Sequence, residues 1–410
     1  MSSSSFSRRT VLQAGAVTAL CGLPTLRARA QAPRARRLVL LYMEGGPSQL
    51  DTFDPKPGTQ TGGPFSVLST KVDGLTMSQH LPTLAALAPR LCVVRTLGSR
   101  EGNHDRARYL MHTGHVPQGG VDHPSLGSVL ARARHTVGLP GYVSILGPGK
   151  DAGILGAAFA PFPVPSAREV MGLLHPPETL TPQRWTRRTS LWRALEDTFG
   201  AAHPGVVSTG QRAVGEQALH LLEGDAAKAF DVQGEPEAVH TRYGSTAFQQ
   251  GCLMARRLLE SGVPCVEVTL KGWDTHKDNF PTVARLSTEL DQGMGALITD
   301  LDERGLLQDT LVVWLGDFGR TPRINAAGGR DHHPKSGCAV LCGGGVKGGV
   351  VVGATNATGE EVVDRPVGVP DLFVTISQLL GLDPRETWEA PSGRPIQAVD
   401  GGKVMTEVLG

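Results

Sequence analysis

Six short apolar runs punctuate the chain, at 38–43, 91–94, 142–146, 265–270, 311–315 and 339–342. Each predicts a β-strand. Unbroken runs such as 38–43 and 91–94 predict strands covered on both faces, because a strand with one face in water alternates apolar and polar residues. Between the runs lie stretches with helical spacing, at 80–88, 104–112, 125–134, 247–261, 283–304 and 369–380. Strands alternating with helices predict an α/β fold, an α/β/α sandwich around a mostly parallel central sheet. Segment 182–227 is rich in Arg, Glu, Leu and Ala and lies between two strand-rich halves. It reads as a helical insertion. Segment 152–165 is rich in Gly, Pro and Ala and reads as a long ordered loop.

The first 30 residues depart from this pattern. A Ser-rich start leads to Arg8-Arg9, then to an uncharged, mostly apolar run at 11–23, then to Ala28-Arg29-Ala30. That run is shorter than the roughly 20 residues a membrane-spanning helix needs. Paired arginines, a short apolar stretch and a small-residue exit describe a removable twin-arginine export signal. Cleavage is expected after Ala30, leaving 31–410 as one α/β domain. The expected partner in transit is the twin-arginine translocation machinery. The expected location is periplasmic or secreted, with no integral membrane span after cleavage.

Composition removes several function classes. Lys and Arg number 40 against 39 Asp and Glu, a net charge of +1, so no bulk field selects nucleic acid or an anionic membrane. Hydrophobic residues at 40% and charged residues at 19% describe an ordinary globular chain. Beyond the leader stand Cys92, Cys252, Cys265, Cys338 and Cys342, an odd set without a C-x-x-C pair. That pattern indicates neither a disulfide framework nor a zinc knuckle.

In parallel sheets, functional groups collect at the carboxyl ends of strands. One such place is Trp273-Asp274-Thr275-His276, which closes the run at 265–270. In extended backbone, residues i and i+2 point the same way, so Asp274 and His276 share a face. Asp with His is a frequent ligand set for zinc or manganese; a helix-capping Asp beside a surface His is the structural alternative. Asp317 closes the run at 311–315, and Arg320 offers a planar fork for an oxyanion. In Asp331-His332-His333 only one of two adjacent imidazoles reaches a common site, and His332 is the candidate. His104, Arg106 and Arg108 open a helix, whose free N–H groups suit an anion.

These residues, in this order, resemble the bacterial family catalogued as domain of unknown function 1501, a relative of the alkaline phosphatase and sulfatase superfamily. The matching stretches begin with Glu44-Gly45-Gly46-Pro47-Ser48, Asp51-Thr52-Phe53-Asp54-Pro55 and Asn103-His104. They continue through Trp273-Asp274-Thr275-His276, Gly316-Asp317-Phe318-Gly319-Arg320 and Gly329-Arg330-Asp331-His332. The resemblance implies the sandwich fold with a metal site at the strand ends. It implies Asp274, His276 and His332 as ligands of one metal and Asp317 as a ligand of a second, with Phe318 where a His would stand. Glu44 takes the place of an acidic ligand after the first strand. Counting back from Thr113-Gly114, His104 takes the nucleophile's place and Arg108 that of the anion-binding arginine. With neither Cys nor Ser at 104, formylglycine chemistry is absent, and Ser48 is a second nucleophile candidate.

The resulting expectation is an exported hydrolase of phosphate or sulfate esters, dependent on a divalent metal (zinc, manganese or calcium). Its partner would be a small-molecule or glycan ester. The alternative is a catalytically inactive secreted relative that binds an anionic glycan or a protein partner.

Overall fold

Nine strands build the central sheet of the computed structural model, which describes residues 34–410 except 135, 137, 177, 178 and 391. The expected export signal lies outside the described residues. In chain order the strands are β1 (Arg37–Glu44), β2 (Leu91–Gly98), β3 (Tyr142–Ile145), β4 (Phe162–Val164), β5 (Cys265–Lys271), β6 (Thr310–Gly316), β7 (Gly337–Gly343), β8 (Val350–Val352) and β9 (Val367–Gly368). They lie side by side as β8-β2-β7-β6-β1-β5-β3-β4, with β9 also pairing β2. Every pairing is parallel except those of β7, which runs antiparallel to both β2 and β6.

The apolar runs fill both faces. Val39, Leu41 and Met43 of β1 point into one core with Val266, Val268, Val312 and Trp314. That core is covered by α5 (Ala247–Glu260) and α6 (Asn279–Glu303). Leu38 and Tyr42 point the other way with Val94, Val313 and Leu341. There the cover is α1 (His104–Thr113), α2 (Leu126–Ala133) and α7 (Val369–Leu380). The α/β/α sandwich follows from two-sided burial of the strands. Cys92, Cys252, Cys265, Cys338 and Cys342 are buried free thiols within these two cores.

Segment 182–227 holds two helices, α3 (Pro182–Ala202) and α4 (Val206–Glu223). Segment 152–165 is not wholly loop, since β4 forms there and pairs β3 alone. Pro163 suits that edge place, where one side of the strand has no partner to receive an N–H. The helix expected at 80–88 is confined to Pro82–Ala86. Pro89 has no N–H to continue it, and a 3-10 turn follows at Ala88–Arg90. No helix among the described residues is long and apolar enough to cross a membrane.

Candidate metal centre

Three parallel strands end at one place. β1 runs out at Glu44, followed by Gly45 and Gly46, both with positive φ (108° and 77°). A side chain at 45 would bring its Cβ to 2.4 Å from the Asp274 backbone nitrogen, so only glycine lets these segments touch. β5 leads through Gly272 to Trp273, whose ring is fully buried and whose backbone N–H donates to the Glu44 carbonyl at 3.2 Å. That anchor presents Asp274 at the sheet's edge. β6 ends at Gly316 and delivers Asp317 beside it. A short antiparallel pair, Gly319–Arg320 with His332–His333, folds over the same edge.

Buried charges fix these loops. Arg330 sends Nε and Nη2 to the two carboxylate oxygens of Asp51 at 2.7 and 3.0 Å, with both residues fully buried. Asp51 also accepts from Asn279 Nδ2 at 2.9 Å, and Asn279 accepts from Thr275 Oγ1 at 2.6 Å. The 51–54 loop therefore holds both the 273–276 turn and the start of the His332 ribbon. A fork matched to a carboxylate gives geometry as well as charge.

Three imidazoles converge on Asp274 Oδ1. Their Nε2 atoms lie at 3.2 Å (His276), 3.3 Å (His332) and 3.4 Å (His104). The Nε2 atoms of His276 and His332 are 2.9 Å apart. In each ring Nδ1 has a partner that can only accept. His332 Nδ1 meets the Gly102 carbonyl at 2.8 Å, His276 Nδ1 meets Asp331 Oδ1 at 2.7 Å, and His104 Nδ1 meets Asp317 Oδ2 at 2.6 Å. An oxygen without a proton obliges Nδ1 to carry the hydrogen, so in the neutral ring Nε2 bears a lone pair. Three lone pairs and a carboxylate oxygen thus face one another.

Electrostatics sharpen this picture. Burial pushes the Asp274 carboxyl up, but the hydrogen bond and charge of Arg320 outweigh it and hold the group down at about 2. The hydrogen bond to Asp317 raises His104 from its ordinary value, whereas burial lowers His332. The His276 hydrogen bond lowers Asp331.

Asp317 does not join the converging donors. Its Oδ1 accepts the Tyr42 hydroxyl, and its Oδ2 accepts the Gly45 N–H at 3.0 Å besides His104. It stands behind His104 as the group that orients the ring. Arg320 does not offer its fork to an oxyanion: it is fully buried and bonded to Asp274 and to backbone carbonyls. Glu44 and Arg108 line an open cleft of about 280 Å³ that His104, Asp274 and Asp317 also border. Arg108 Nη2 reaches Asp105 Oδ1 at 3.1 Å. Ser48 is fully buried. Asp331, Tyr42, Asp51 and the Gly102 carbonyl are supports that sequence reasoning missed. Asp331, adjacent to His332, and Asp51, in one of the matching stretches, carried a visible signal without a role.

Residues 35–409 match the family described as "Protein of unknown function (DUF1501)". The chain belongs to that family. No curated protein matches this DUF1501 protein. Among solved structures it is similar to Ps i-CgsB at 11% identity and a TM-score of 0.41, covering 85% of this chain and 73% of that one. It is similar to the PsFucS1 sulfatase from Pseudoalteromonas sp. at 14% identity and a TM-score of 0.39, covering 92% and 72%. It is also similar to the zinc complex of the C-terminal periplasmic domain of EcEptC from Escherichia coli. There the identity is 13% and the TM-score 0.40, covering 87% of this chain and 84% of that one.

Proposed function

We propose that this DUF1501 protein is an exported, metal-dependent hydrolase of phosphate or sulfate esters. The observation that carries the reading is the convergence of three imidazole lone pairs on Asp274 Oδ1. With the rings neutral, such a cluster repels itself unless a metal ion or an added proton on Nε2 lies within it. The residues fit a divalent ion by their own chemistry. His104 Nε2 is buried and has no hydrogen-bond partner. His104, Asp274 and His332 each offer an atom within 4.8 Å of the others. Separations of 2.9–3.4 Å are close to the tetrahedron edge of about 3.3 Å set by bonds of about 2.0–2.1 Å. Imidazole with one carboxylate suits zinc better than calcium, which takes oxygen ligands.

His104, His276, His332 and Asp274 would hold the ion. Bound there, it would supply Lewis acidity to an ester oxygen taken as a fifth ligand. The protein's own groups do the rest. Arg108 at the rim takes the anionic part of the ester. Glu44 in the same cleft exchanges a proton with the departing or attacking oxygen. Asp317, Asp331 and the Gly102 carbonyl keep the three rings turned inward. On this reading His104 is a ligand and not the nucleophile. The ester class rests on the motif resemblance and on Arg108. Export rests on the arginine pair and the Ala28-Arg29-Ala30 exit.

The test is elemental analysis of protein recovered from its export pathway, followed by hydrolysis of 4-nitrophenyl phosphate and sulfate. We expect bound metal and chelator-sensitive turnover, with Asp274→Asn losing both. Protein that is metal-free and takes up no zinc at millimolar concentration overturns the reading. One observation favours a second reading, a metal-binding but inactive protein that docks an anionic glycan or a protein partner. Among the described residues, none lining the cleft is Ser, Thr or Cys, so no hydroxyl or thiol nucleophile is seen there. Bound metal without turnover selects it.

A further inference from the structure

Arg320 occupies an oxygen cage beside the converging histidines. Its Nη2 donates to Asp274 Oδ1 at 2.6 Å and to the Gly45 carbonyl. Its Nε donates to the Gly46 carbonyl at 3.0 Å and its Nη1 to the Arg330 carbonyl at 3.2 Å. One carboxylate and three carbonyls from three chain segments thus surround a single guanidinium that is 0% exposed. The backbone of Arg320 is equally fixed. Its N–H donates to Gln49 Oε1 at 2.8 Å, and its carbonyl accepts from Gln49 Nε2 at 2.9 Å. The preceding residue has to be glycine, since a Cβ at Gly319 would lie 2.0 Å from the Ser336 carbonyl oxygen.

Carboxylate and carbonyl oxygens arranged in this way are what a hard cation takes as ligands. Here a side chain fills the cage, and guanidinium keeps its proton at any physiological pH. We propose that Arg320 is a resident second cation, which limits the centre to one divalent ion. The inference rests on the metal reading above. Asp274 Oδ1 then serves two positive partners, the guanidinium on one side and the imidazole-bound ion on the other. Four of the five guanidinium N–H groups are committed to the cage. Arg320 is therefore a positioning residue, and contact with the substrate's anionic group falls to Arg108.

The experiment is calorimetric titration of the purified protein with zinc sulfate, with stoichiometry read independently by native mass spectrometry. We expect one equivalent per chain. Two equivalents overturn the proposal and leave the metal reading standing. None overturns the metal reading and this proposal with it. Arg320→Met empties the cage of its charge and should admit a second equivalent, whereas Arg320→Lys should stay at one. A folded Arg320→Met protein that stops at one equivalent counts against the proposal. Where that variant does not fold, the wild-type stoichiometry decides.

Discussion

Asp317 sits fully behind His104, and its two oxygens accept from three donors, Tyr42 on β1, Gly45 just after β1, and His104 on α1. A ligand's outer partner sets its ring orientation, and removing such a partner costs about 10–100-fold in metal affinity. We therefore expect Asp317→Asn to weaken zinc binding by that factor in a competition assay with a chromogenic chelator, and to lower Tm without metal as well, because an amide nitrogen cannot accept from the Gly45 N–H or the His104 ring. An unchanged affinity would show that His104 is held by other contacts. This arrangement also marks where sequence reasoning stopped. Asp274, His276 and His332 were visible because each follows a buried strand or lies in a polar loop after one. The part played by Asp317 was not visible, because its partner stands 213 residues away in the chain. Strand-end position showed that a carboxylate would be near the centre. It could not show that both oxygens would already be occupied.

At the scale of elements, the connection from α1 to α2 carries a stacked pair, His115 and His123, with ring centroids 3.9 Å apart and 11° between planes. Tyr109 Oη lies 2.8 Å from His123 Nδ1, and His115 Nε2 meets the Ala398 carbonyl at 3.2 Å. Asp122, Lys150 and Arg394 are the charged groups facing His123, and Asp400 faces His115. Burial first, then the neighbouring His115, pushes His123 down to about 4. An unfolded chain takes up that proton near 6.5. The folded-state value is the lower one, so the stabilisation is complete above about 6.5 and is lost as pH falls toward about 4. At pH 5 the loss from this group amounts to about 2 kcal/mol relative to pH 7.5. Denaturant titrations at the two pH values should show a drop larger by that amount in wild type than in His123→Gln. Equal drops would count against the neutral buried histidine.

The α3–α4 pair has its own expectation. Leu191 and Leu195 are 60% exposed and Phe199 is 49% exposed, whereas Leu221 is 1% exposed. Changing each of the first three to Gln should alter stability by no more than about 0.5 kcal/mol. Leu221→Ala should cost about 2–5 kcal/mol. Equilibrium unfolding in urea distinguishes the two classes. These helices were legible from composition. β4 was not, because three residues containing a proline carry no periodic signal.

For the molecule as a whole, the centre exists only when the sheet is complete. His104 follows β2, Asp274 and His276 follow β5, and His332 lies in the ribbon between β6 and β7. An ion that binds these groups together binds only the folded chain. At a hundred times its dissociation constant, zinc should add about 2.7 kcal/mol to stability. A thermal melt with and without chelator measures the shift, and Asp274→Asn should show almost none. A second expectation concerns the mature start. Among the described residues, the first backbone contacts are Arg34 and Ala35 donating to the Leu379 carbonyl at 3.0 and 2.9 Å. A chain beginning at Gln31 keeps both of these bonds, and N-terminal sequencing of exported material should read from Gln31. The sandwich was legible at this scale because two-sided burial writes itself as unbroken apolar runs. The reversed direction of β7 was not, since a run of buried residues reads the same whichever way the strand points.

The buried cysteines give the protein an internal clock. Cys92, Cys265, Cys338 and Cys342 lie in β2, β5 and β7, and Cys252 lies in α5. Burial pushes their thiols up, Cys92 and Cys342 to about 12, so at neutral pH almost none is thiolate. Alkylating reagents attack the thiolate and need access to it. Iodoacetamide uptake at these five positions should therefore proceed at the rate at which the sheet opens, and peptide mapping would time that opening separately for β2, β5, β7 and α5. The same shielding would keep the five thiols from pairing wrongly in any oxidising surrounding as long as the chain stays folded.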